Sequence, residues 1–446
     1  MTASGTESAA GAATSLDAAL TRIGTGRFQA RLLGIFGLVW AADAMQVLAI
    51  GFAAPTLARA FEIPVPQAIQ VGTVFFLGMM LGAWGFGRLA DRVGRRAVLI
   101  GTVLADAAFG LASALAPDFT SLLVLRFLTG AAVGGTLPVD YAAMAEFLPA
   151  ARRGRWLVLL EAFWALGTLA LALVSWAAAA WGGPDAWRWI FAATALPALV
   201  GVALRFWVPE SPYFLWRQGR LDEADRVLAR MAAANGRSFS AGTLRRDLET
   251  GPQPSLLAAP LRQPFLLILA VWLLVSMAYY GLFVWLPAQL AASGLGFLRA
   301  QGFLVLVALA QLPGYALAAH GVESWGRRRT LIGFLLTAAA GCSLYVATAD
   351  PLVIAGATLL MSFAMLGAWG ALYAFTPELF PTTTRATGMG AAGALARVGG
   401  LLAPSALGLV VAVSFAAAIG LFAVLLALAA IAVAGIREET RGRVLT

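Results

Sequence analysis

Long apolar stretches alternate with short polar ones along almost the whole chain. Twelve of the apolar stretches run for about 20 residues or more, enough to cross a hydrocarbon core about 30 Å thick. They lie near 30–57, 68–88, 97–116, 119–147, 156–181, 187–208, 264–291, 298–320, 330–348, 351–379, 387–412 and 415–436. The pattern predicts an all-α membrane protein with twelve transmembrane helices. It falls into two six-helix domains at 27–208 and 261–436. Residues 1–26, rich in Ala, Gly, Ser and Thr, read as a flexible tail, and 437–446 as a second short tail. In the polar stretch 209–260, Leu221, Ala224, Val227, Leu228 and Met231 recur at helical spacing. That spacing predicts amphipathic surface helices in a linker between the halves.

Charge orients this arrangement. All 31 basic residues are Arg, against 22 acidic ones. Arg88, Arg92, Arg95 and Arg96 follow the second stretch and Arg152, Arg153 and Arg155 the fourth. Arg327, Arg328 and Arg329 follow the eighth, and Arg385 the tenth. The intervening loops carry few Arg. The positive-inside rule therefore places the Arg-rich loops and both termini in the cytoplasm. The absence of Lys argues against a Walker A loop and Schiff-base chemistry. A single His, His320, and a single Cys, Cys342, leave no HExxH zinc site and no intrachain disulfide. No cofactor and no enzymatic activity are expected, and no nucleic acid partner.

The same loops carry a repeat. "RVGRRAVLIG" (92–101) echoes "SWGRRRTLIG" (324–333), an offset of 232 residues. That offset also lays "EFLPAARR" (146–153) on "ELFPTTTR" (378–385). Two matches at one offset indicate two six-helix halves in parallel orientation. "GRLADRVGRR" (87–96) and "RFLTGAAVGGTLP" (126–138) resemble loop and fourth-helix signatures of the major facilitator superfamily, and "PESP" (209–212) resembles its sugar-porter branch. "WLLVSMAYYGLFVWLP" (272–287) and "PELFPTTTRATGMGAAGALARVGGLLAP" (377–404) look more narrowly like bacterial niacin permeases and synaptic vesicle glycoprotein two. Acidic first-helix positions also occur in the related aromatic-acid:proton symporters. The resemblance implies a monomeric, multi-pass transporter of the bacterial inner membrane. Its partners would be a small organic anion, a proton and the lipid bilayer. The relatives often carry a second acid three residues after the first-helix Asp, where this chain has Gln46.

Six charges fall well inside the apolar stretches: Asp43, Asp106, Arg126, Asp140, Glu161 and Arg397. Each costs about 3 kcal/mol or more by insertion scales, which marks it as functional or paired. Asp43 sits near the midplane with Gln46 on the same helix face. It either lines the central cavity, as a proton carrier or ligand contact, or forms a structural pair with Arg126. Arg126 is expected to meet Asp43 or a substrate anion, or to act as a tie. Asp140 and Glu161 are candidates for an inner proton relay or for holding the Arg-rich loops, and Asp106 for a structural or helper role. Glu161 falls where sugar porters carry a sugar-binding Gln, which counts against a plain sugar. Arg397 is the sole intramembrane charge of its half, and its planar fork suits a carboxylate. Tyr279, Tyr280, Trp285, Trp164, Trp369 and Tyr373 are candidate ring contacts, or core packing. Gly281 and Pro287 are expected to loosen the seventh helix.

Asp91, Arg92, Arg95, Glu146 and Arg153, with Glu378, Arg327 and Arg385, are candidate gating charges. Glu146 and Glu378 are expected to pair with Arg88, Arg92 or their repeat equivalents. The resulting expectation is a secondary transporter of a nicotinate-like or other aromatic carboxylate, working by alternating access with proton symport. A sugar or polyol:proton porter, or a non-transporting binding protein on the same fold, are the alternatives.

Overall fold

Apolar helices are stable in a membrane because every backbone N–H and C=O is satisfied within the segment. A computed structural model describes residues 15–195, 207–239, 255–259, 261–292 and 297–441. The N-terminal half contains α1 (Leu16–Ile23), α2 (Arg27–Ala60), α3 (Val65–Val93), α4 (Arg95–Ala114), α5 (Phe119–Glu146), α6 (Ala150–Trp181) and α7 (Ala186–Ala195). The linker holds α8 (Pro212–Arg217) and α9 (Leu221–Ala234). The C-terminal half contains α10 (Arg262–Ala292), α11 (Phe297–Leu309), α12 (Gln311–Ser324), α13 (Arg327–Val346), α14 (Pro351–Phe375), α15 (Thr382–Val413) and α16 (Phe415–Gly435).

Among the described residues ten segments are long and apolar enough to cross a membrane. The start of the sixth stretch is α7, whose continuation over 196–206 lies outside the described residues, and α15 occupies the eleventh. The eighth stretch is one span broken at Ala310 into α11 and α12. Pro313 explains the break, because it has no N–H to offer the carbonyl of Leu309.

Close packing within the N-terminal half depends on glycine. Gly78 and Gly82 on α3 face the backbone of Phe127 and Ala131, while Gly130 and Gly134 on α5 face the carbonyls of Phe75 and Met79. A Cβ at any of the four would collide with backbone, so these glycines set the α3–α5 distance.

The repeat is visible in geometry. Gly94 and Gly326 both have φ above +100°, at 107° and 101°, a region closed to residues with a Cβ. Each starts a helix with an Arg that folds back over the preceding turn. Arg95 donates to the carbonyl of Ala90 at 2.9 Å and lies 3.4 Å from Glu146. Arg327 donates to Val322 at 2.8 Å and lies 3.0 Å from Glu378. The Glu146 and Glu378 partners are therefore Arg95 and Arg327, not Arg88, Arg92 or their equivalents. Arg88 stacks instead on Trp84, 4.3 Å away and one turn back, and Arg92 is exposed. A glutamate from the segment after each half's last spanning stretch completes each corner. Glu210 accepts from the amide of Arg95 at 3.1 Å, and Glu439 from that of Arg327 at 2.9 Å.

The segment expected to be tail is partly helical. Ser15 caps α1, and Leu16, Ala19, Leu20 and Ile23 are buried, with α1 packed against α9. Tyr213 donates to Asp17 at 2.6 Å. Asn235, just after α9, accepts from the amide of Phe28 at 3.0 Å and donates to Gln29 at 2.9 Å. The linker is thus fastened to the start of α2. The apolar spacing of α1 was present in the sequence, beneath a composition that suggested disorder.

Candidate functional site

The two halves meet along α2, α3 and α6 on one side and α10, α11, α12, α14 and α15 on the other. A continuous group of aromatic rings fills the middle of this seam. Trp40 of α2 lies 6.4 Å from Trp164 of α6 and 6.3 Å from Tyr373 of α14. Tyr141 of α5 is 5.3 Å from Tyr373. Trp164 donates through its indole N–H to the Tyr279 hydroxyl at 2.7 Å, a bond between the halves. Tyr279 also contacts Tyr280 and Trp369, at 5.1 and 5.8 Å. Trp272 completes the group against Trp369 and Tyr373, at 5.4 and 4.8 Å. Most of these pairs are edge-to-face or tilted, the preferred aromatic geometries.

Five of the six predicted aromatic residues join this group: Trp164, Tyr279, Tyr280, Trp369 and Tyr373. Trp285 is buried, but among the described residues no ring contact links it to the others. Trp40, Tyr141 and Trp272 were missed. Trp40 and Tyr141 lie three residues before Asp43 and one after Asp140, which was a usable signal. Gln311 was also missed. It is fully buried at the α11–α12 break, with both amide atoms unpartnered.

The charges divide into two sets. Arg126 finds its partners inside the N-terminal half, although its Nε has none. Its guanidinium donates to the Gln46 side chain at 2.7 Å and to the Gln46 carbonyl at 2.8 Å. It stacks over Phe75 and Phe191 at 4.7 and 4.9 Å, within reach of the Asp106 charge. The expected pairing of Arg126 with Asp43 is not formed. Gln46 sits about 4.5 Å further along the helix axis than Asp43, at the level of Arg126. Asp106 gains a role from this, as the acid beside Gln46.

The second set lies at the seam. Asp43 is 1% exposed, with one carboxylate oxygen unpartnered. Arg397 donates to the carbonyl of Gly393 at 2.8 Å, keeps its Nε unpartnered, and is partly exposed. Asp43 and Arg397 lie within electrostatic reach across the seam, and Tyr280 and Tyr373 flank the Arg. Among the described residues no ion pair joins them. Asp140 is fully buried with both oxygens unpartnered. Glu161 is 2% exposed, with one oxygen unpartnered, beside Trp40. Unpartnered buried carboxylates are expensive as anions, so this site is suited to hold protons or to meet a cation.

Contacts cross the seam at more than one level. Toward the Arg-rich side, Trp40, Tyr141 and Tyr373 touch across the halves. Toward the other, Gly51 of α2 lies against the backbone of Val284, and Ser175 donates to Gln301 at 2.7 Å. Of the candidate gating residues, Arg95, Glu146, Arg327 and Glu378 form the two corners described above. Arg153 donates to the carbonyl of Leu148 at 3.2 Å. The side chains of Asp91 and Arg385 lie outside the described residues.

The family described as "Sugar (and other) transporter" matches residues 45–446. A niacin transporter, NiaP, of Acinetobacter baylyi is 36% identical over 426 residues, covering 94% of this chain and 96% of the relative. The synaptic vesicle 2-related protein of Rattus norvegicus is 31% identical over 455 residues, covering 96% and 81%. Among solved structures, the major facilitator proton:xylose symporter XylE bound to 6-bromo-6-deoxy-D-glucose superposes with a TM-score of 0.77 at 20% identity. That match covers 94% of this chain and 98% of the other and establishes likeness of fold.

Proposed function

This chain belongs to the sugar (and other) transporter family of the major facilitator superfamily, and on that premise we propose that its cargo is a small aromatic carboxylate, nicotinate first, carried together with a proton. The observation that carries this reading is the placement of Arg397 and Asp43 on opposite sides of an aromatic seam, near but unpaired. Arg397 offers the planar donor fork a carboxylate fits. The rings of Tyr279, Tyr280, Trp369 and Tyr373 offer faces and edges to a planar heterocycle. Asp43 carries the proton. Protonation removes the cost of a bare buried carboxylate, and cargo on Arg397 takes up the facing cation. The 36% identity to a protein named as a niacin transporter supports the cargo class.

Glu161 and Asp140 lie on the Arg-rich side of Asp43 and would pass the proton onward. The corners at Arg95–Glu146 and Arg327–Glu378 would open and close that side during alternating access. Arg126 and Gln46 would keep α2 and α5 in register beneath the site. The Arg-rich side, with both termini, would face the cytoplasm.

Uptake into proteoliposomes tests the reading. Labelled nicotinate should accumulate under an acid-outside gradient, and collapse of the gradient should abolish accumulation. A sugar or polyol porter is the second reading, favoured by the family's breadth and the "PESP" segment at 209–212. Trans-stimulation by unlabelled sugar, with none by nicotinate, would select it.

A further inference from the structure

A separate basic pocket lies at the edge of the N-terminal half, away from the seam. It is a cavity of about 300 Å³ lined by Arg27, Phe28, Arg31 and Leu32 of α2, by Trp207, and by Arg230 and Ala234 of α9. Three arginines line it and no carboxylate does. Among the described residues none of the three is ion-paired. The Arg31 guanidinium sits 4.1 Å over the Trp207 ring, and Arg230 reaches the Trp207 carbonyl at 3.5 Å. The neighbouring pocket is different. It shares Arg230 with the first and also holds Arg96, Arg220 and Arg226, but Glu210 and Glu223 line it too and offset their charge.

The position of the pocket identifies its ligand. Arg27 is the first residue of the first spanning helix and Arg31 lies one turn further in. Trp207, 46% exposed, lies beside Arg31 on the same side of the protein. A Trp between paired arginines at the mouth of a spanning helix marks the level of lipid headgroups. We propose that this pocket binds the phosphate of an anionic membrane lipid. Arg27, Arg31 and Arg230 hold the phosphodiester oxygens, Trp207 lies at the glycerol level, and Phe28 and Leu32 meet the start of the acyl chains. Because the pocket joins α2 to α9, the lipid would fasten the linker to the N-terminal half. The proposal is independent of which cargo the seam carries.

Native mass spectrometry of the full chain with phosphatidylglycerol, phosphatidylcholine or inorganic phosphate tests it. The protein should retain phosphatidylglycerol over phosphatidylcholine. The Arg27→Gln, Arg31→Gln, Arg230→Gln variant should lower that retention by at least about tenfold, whereas Arg220→Gln with Arg226→Gln in the adjacent pocket should not. If the triple variant fails to fold, Arg31→Gln alone should lower retention about fivefold. Equal retention of the two lipids, or undiminished retention by the Arg31 variant, would overturn the proposal. So would stabilisation by inorganic phosphate as large as that by phosphatidylglycerol, which would make this an ion site rather than a lipid site.

Discussion

In the N-terminal half, Asp43, Asp106, Asp140, Glu161 and Arg126 are all buried within the spanning helices. In the C-terminal half, Arg397 is the charge that reaches the same level. The corners on the Arg-rich side show the opposite: Gly94, Arg95 and Glu146 recur as Gly326, Arg327 and Glu378, with the same backbone turn and the same Arg–Glu pairing, single and longer in the first corner and bidentate in the second. The scaffold has kept its duplication at these corners. It has lost it at the seam, where one half holds acids and the other a cation. An asymmetric site between symmetric scaffolds can bind an anion on one wall and a proton on the other.

That comparison predicts unequal effects for the two buried arginines. Arg126→Leu leaves Gln46 and Asp106 without their partner and should destabilise the protein by about 3–5 kcal/mol, seen as a large fall in Tm in detergent. Arg397→Ala should leave Tm nearly unchanged and weaken nicotinate binding by about 1.5–3 kcal/mol, roughly ten- to a hundredfold. If Arg397→Ala proved as destabilising as Arg126→Leu, Arg397 would be a tie, and the contrast between the halves would fail.

The duplicated corners should respond alike. Gly94→Ala and Gly326→Ala each force a Cβ into a backbone region that excludes it, and each should cost about 1–3 kcal/mol by thermal melts. The smallest effect is expected at the ion pairs. Glu146→Gln and Glu378→Gln should each cost about 1 kcal/mol or less of stability. A clear difference between the two members of either pair would show that the corners have diverged in role.

The spans, the two halves and the 232-residue offset were legible in the sequence because apolar length and Arg placement are local signals. So was the position of Arg397 and Asp43 within the spans, since a charge in an apolar run is conspicuous. Partner choice was not legible. Arg126 and Gln46 are 80 residues apart, and whether Arg126 meets Asp43 or Gln46 depends on helix rotation and a one-turn difference in depth. Trp40, Tyr141, Trp272 and Gln311 escaped notice for a related reason. Aromatic residues and amides are common in apolar helices, and only the packing of both halves shows which of them face the seam.

The most direct test is labelled nicotinate transport by Asp43→Asn in proteoliposomes, measured as uphill accumulation under an acid-outside gradient and as exchange without one. The account predicts that exchange persists while gradient-driven accumulation is lost. Undiminished uphill accumulation by Asp43→Asn would contradict it.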